Sequence, residues 1–108
     1  MIRAGLALLL ALAPTAAMAG PEEDAADVRC VVIGAEMSQD KDPDTSKGGS
    51  VILFYFLGRL DARSPTADLK ALITQEATRM AAADKGRIAT DCAAKVQARG
   101  KQLEALGG

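Results

Sequence analysis

The chain has 108 residues, with 13 Lys and Arg against 14 Asp and Glu, and it contains no His and no Trp. A near-balanced charge argues against a general nucleic-acid binder. The absence of His removes the usual proton shuttle and the commonest transition-metal ligand, and it excludes a Ser-His triad. No Gly-rich phosphate motif is present either, so the sequence points away from an enzyme and calls for no cofactor.

Residues 1 to 20 read MIRAGLALLLALAPTAAMAG. A basic start at Arg3, an apolar stretch from Ala4 to Ala13, Pro14, and the small-residue triplet Ala17-Met18-Ala19 have the layout of a secretory signal peptide. The stretch is shorter than the roughly 20 residues of a membrane-spanning helix, which favours cleavage after Ala19 over a retained anchor. Residues 1–19 are therefore expected to be a signal peptide, and residues 20–108 a single domain that is periplasmic or secreted. No Cys follows Ala19 to carry a lipid.

The remaining segment holds 21 Val, Ile, Leu, Met, Phe and Tyr residues, a thin core for a domain near the lower size limit. Its charge is uneven: residues 20–48 carry 8 acids and 3 bases, and residues 49–108 carry 6 acids and 9 bases. The simplest expectation is that the two parts face one another. Cys30 and Cys92 are the only cysteines. An oxidising compartment favours a disulfide between them, against free thiols, an intermolecular bridge or a redox pair. Such a bond would stabilise the fold by about 4 kcal/mol in the chain-entropy model.

Pro21 followed by Glu22, Glu23 and Asp24 marks a helix start. Val28, Val32 and Ala35 extend it at helical spacing, giving a helix over about 22–38, although the patch Cys30 to Ile33 also suits a short strand. The segment SQDKDPDTSKGG, residues 38 to 49, has no apolar residue and reads as a loop. Within it Asp40, Asp42 and Asp44 alternate as at the start of a calcium loop, but Thr45 stands where glycine is required and Val51 where a bidentate Glu should be. A solvated acidic loop explains them more simply. Ser38 and Lys41 make an S-x-x-K pattern without the companion motifs of the enzymes that use it.

Every aromatic side chain falls in the run VILFYFL, residues 51 to 57. Leu53, Phe56, Leu57 and Leu60 repeat at helical spacing, which predicts a helix over about 50–63, and the apolar run is too short to span a membrane. Phe54, Tyr55, Phe56 and Leu57 are candidates for either the core or a client-binding surface. Ser64-Pro65 predicts the start of a third helix over about 65–83, with Leu69, Leu72, Ile73, Ala77 and Met80 as its apolar stripe. Gly86 is read as an interruption. A fourth helix over about 88–106 aligns Ile88, Cys92, Val96 and Leu103, with Gly100 beside them as a point of close helix contact.

The fold class is thus all-α: a small four-helix bundle with a disulfide joining the first and last helices and the aromatic helix between them in the core. Arg59, Arg63, Arg79, Arg87, Arg99 and Lys101 could form a basic face for anionic lipid or polysaccharide, but a solvated surface with local pairs, Arg59 to Asp61 and Arg63 to Asp61 or Asp68, is the plainer reading.

An early cysteine, the stretch FYFLGRLDARSP and a late cysteine in DCAAKVQARGKQLEALG resemble small secreted proteins of sphingomonad-like, alphaproteobacterial bacteria. The one-disulfide helical plan is also similar to the periplasmic acid-stress chaperones of the Hde type. That likeness implies a bridge between Cys30 and Cys92 and an apolar surface exposed by acid to bind unfolding clients. The expected function is contact with a protein partner or client, as a periplasmic stress chaperone. The alternative is a ligand- or calcium-binding module using the 40–46 loop or a pocket beside Tyr55.

Overall fold

The computed structural model describes residues 20–107, so the signal-peptide reading of residues 1–19 lies outside the described residues. Four helices follow one another: α1 Pro21–Ser38, α2 Pro43–Arg63, α3 Leu69–Arg79 and α4 Lys85–Gly107, with a short 3₁₀ turn at Ala82–Asp84 before the last. Among the described residues there is no strand. The all-α bundle expected from the sequence is the observed architecture, and the Cys30 to Ile33 patch is helical.

The order of burial differs from expectation. The central element is α1, not the aromatic helix: Asp27, Val28, Cys30, Val31, Val32, Ile33 and Gly34 are all buried, and α2, α3 and α4 each pack against it. A helix enclosed on several sides needs apolar residues all round, so its sequence shows a continuous run rather than a stripe. That is why the same patch also read as a strand. By contrast α2 is one-sided, with Gly49, Ile52, Phe56 and Leu60 buried and Val51 and Phe54 left in solvent.

The α1/α2 hairpin is the tightest contact. A Cβ built on Gly34 would lie 2.6 Å from the Leu53 backbone nitrogen, and one on Gly49 would lie 2.5 Å from that of Ser38. Only glycine lets the two backbones come this close. Gly100 plays no such part, since a Cβ there would meet nothing within 4 Å.

The helix boundaries also depart from the sequence reading. The expected 38–49 loop shrinks to residues 39–42, because Asp42 caps α2 through Thr45 N at 3.0 Å and Pro43 takes a first-turn position. Ser64 does not start a helix. It ends α2, its N–H donating to Leu60 O, and Asp68 caps α3 by accepting from Ala71 N at 3.1 Å. Gly86 lies in the first turn of α4, and the break falls earlier, where Met80 and Ala81 are extended.

Candidate functional site

The expected bond between Cys30 and Cys92 is present, with an S–S distance of 2.04 Å and a Cα–Cα distance of 5.7 Å. Both cysteines are buried, and the bond joins the middle of α1 to α4. Beside it a cleft of about 380 Å³ opens between α3 and α4, lined among others by Arg29, Glu76, Arg79, Arg87, Asp91 and Lys95. Arg29 pairs with Glu76 across it, whereas Arg79 pairs with Glu76, and Arg87 with Asp84 and Asp91, along the chain on one side.

Two ionic clamps hold the helices on α1. In the first, Arg63 Nε donates to Asp24 Oδ1 at 2.8 Å and its Nη2 to Asp27 Oδ2 at 2.8 Å, while Arg59 Nε reaches the same Asp27 oxygen at 3.2 Å. Ser64 Oγ completes it by donating to Asp24 Oδ2 at 2.8 Å. Arg59 and Arg63, four apart on α2, thus meet Asp24 and Asp27, three apart on α1, and each pair lies on one helix face. The Arg59 guanidinium also lies 5.8 Å from the Phe56 ring centre and 6.0 Å from that of Tyr55. In the second clamp, Arg29 Nη1 of α1 donates to Glu76 Oε1 of α3 at 2.8 Å, with Arg79 at 3.5 Å from the other oxygen.

Hydrogen bonds from Arg63 and Ser64 hold the Asp24 carboxyl below the ordinary carboxylate range, against a smaller opposing push from burial. Bonds to Asp27 and Asp24 push Arg63 further up. Asp27 and Glu76 are buried carboxylates, and no buried side-chain polar atom among the described residues lacks a partner.

These carboxylates are the functional candidates that sequence reasoning missed. It assigned Arg59 to Asp61 and Arg63 to Asp61 or Asp68, whereas their partners lie on α1. The matched spacings on the two helices were the available signal. Pairing of Arg59 and Arg63 with Asp24 and Asp27, and of Lys85 with Glu36, does bring the acidic first part of the chain against the basic remainder.

The alternating aspartates serve chain geometry. Asp40 Oδ1 accepts from Asp42 N at 2.9 Å, and Asp42 Oδ2 accepts from both Thr45 N and Thr45 Oγ1. Asp44 lies in the first turn of α2. Among the described residues no three Asp, Glu, Cys or His side chains are grouped to hold a metal ion. Ser38 Oγ donates to Ala35 O at 2.7 Å and Lys41 is exposed. Of the aromatic run, Phe56 is fully buried, Tyr55 and Leu57 are half-buried against the core, and Phe54 is 68% exposed. Tyr55 meets Phe56 edge-on, with ring centres 5.0 Å apart.

Among the described residues no helix is long and apolar enough to cross a membrane. Comparison with known proteins finds no matching family, no similar curated protein and no similar solved structure.

Proposed function

We propose that this chain is an exported helical protein of the periplasm that acts by protein contact, as a stress chaperone whose apolar interior is released by acid. The observation that carries the reading is the placement of the clamps. Carboxylates on α1 and α3 hold α2 and α3 down over the apolar residues that release would expose, among them Phe56, Leu57 and Ile33. Protonating those carboxylates removes the attraction and leaves the basic residues unbalanced, which favours expansion. The disulfide keeps α4 attached to α1 throughout.

With no His, the response belongs below an ordinary carboxylate pKa of about 4, where Asp24 takes up its proton, and not near neutrality. Dye binding by the oxidised protein, followed from about pH 7 to about pH 2 beside a client-aggregation assay, tests the proposal. Dye binding should rise in acid together with client protection. No rise in dye binding and no protection would remove the chaperone reading.

A further inference from the structure

Gly58 has no explanation inside the molecule. It sits exposed within α2, its φ is not positive, and a Cβ built on it would meet nothing within 4 Å. Glycine is among the poorest residues for a helix interior. Gly34 and Gly49 repay that by close backbone contact, whereas Gly58 faces solvent.

Its neighbours on that face form a pattern. Lys47, Val51, Phe54, Gly58 and Asp61 alternate at spacings of four and three residues, which places them along one side of the helix, and all five are exposed. Val51 is 55% and Phe54 68% exposed, although the opposite side of the same helix supplies Ile52, Phe56 and Leu60 to the core. Lys47 and Asp61, at the two ends, take part in no ion pair among the described residues. They are equally far in sequence from Phe54.

The stripe is therefore self-complementary under a two-fold axis through Phe54. An antiparallel copy brings each Lys47 to the other chain's Asp61, and sets each Phe54 ring in the hole between Val51, Phe54 and Gly58 opposite. A parallel copy would put like charges together at both ends. We propose that a second copy of this chain docks antiparallel on the outer face of α2, with Phe54 as the anchor and Gly58 as the gap that receives it. The inference is independent of the acid response and concerns the folded protein at neutral pH.

From Lys47 to Asp61 the seam is about 21 Å of helix. That makes a contact of less than about 1,200 Å², small for a specific interface, so the dimer is expected to be weak, with a dissociation constant of about 10–100 µM.

Sedimentation velocity of the oxidised protein at neutral pH, from about 1 to about 500 µM, measures this. The wild type should pass from monomer to dimer across the series, and Phe54→Asp should stay monomeric with unchanged helicity. Lys47→Asp and Asp61→Lys should each weaken association about tenfold, and the double variant should recover it, because only an antiparallel pairing joins those two positions. Gly58→Leu should raise the unfolding midpoint of the dilute monomer, by helix propensity, while weakening the dimer. A wild type that remains monomeric throughout overturns the proposal. So does a dimer indifferent to Phe54→Asp, or one that the double charge exchange fails to restore.

Discussion

Phe54 and Phe56 are two positions apart and have opposite fates. Phe56 is fully buried beneath Arg59 and beside Tyr55, whereas Phe54 points away from the bundle. Phe56→Ala should therefore cost about 3–5 kcal/mol. Phe54→Ala should change the stability of the dilute monomer by no more than about 0.5 kcal/mol. Urea titrations of the two disulfide-intact variants against the wild type decide this. The run of residues 51 to 57 was legible as a helix because Leu53, Phe56, Leu57 and Leu60 keep helical spacing. Which side would be buried was less legible, since every member of an unbroken apolar run is an equally good core residue. The packing glycines Gly34 and Gly49 gave no sequence signal at all: their role depends on how close two backbones come, and that is set in three dimensions.

At the level of elements, α3 is the least secured helix. It packs on α1 alone, and its one fully buried residue is Glu76. Leu69, Leu72 and Ile73, the stripe read from the sequence, are only partly buried. The attachment thus depends on Arg29, and Arg29→Met would leave Glu76 with only Arg79, at 3.5 Å. That variant should lose about 3 kcal/mol, because a buried charge left without its main partner is strongly destabilising. In hydrogen exchange, α3 amides should already exchange faster than those of α1 in the wild type, and the substitution should widen the gap. The existence of α3 was readable from its stripe, but its start was not. Ser64-Pro65 and Asp68 both suit a helix N-terminus, and the choice went to Asp68 because Ser64 is engaged twice, ending α2 and bonding Asp24. The start of α2 was missed for the converse reason: the signal at Asp42-Pro43 lay in a stretch with no apolar residue to suggest a helix.

At the scale of the whole molecule, charge and covalent linkage divide the work. Asp24 holds its proton less tightly in the folded protein than in the unfolded chain. Its contribution is therefore fully present above an ordinary carboxylate pKa of about 4, and is lost as pH falls through its lower folded value. Asp24→Asn should be less stable at neutral pH and should lose less between about pH 4 and pH 2 than the wild type, which denaturant titrations at fixed pH values can show. The disulfide acts at every pH. Its removal in a Cys30→Ala, Cys92→Ala double variant should cost about 4 kcal/mol by the chain-entropy model, seen as a lower urea midpoint. That bond was legible in the sequence from the even cysteine count, read together with the expectation of export. The clamps were not, because finding the partners of Arg59 and Arg63 required knowing that α2 runs back along α1.

The bond between residues 30 and 92 also closes a ring that contains all of α2 and α3, leaving residues 20–29 and 93–107 as arms outside it. The exposed linker of residues 65–68 lies within the ring. One protease cut there opens the ring but releases nothing: the product is heavier by one water and travels as a single species until a reductant separates it into two. Damage at that exposed joint is thus covalently contained, and the two halves of the broken chain remain positioned to pack again.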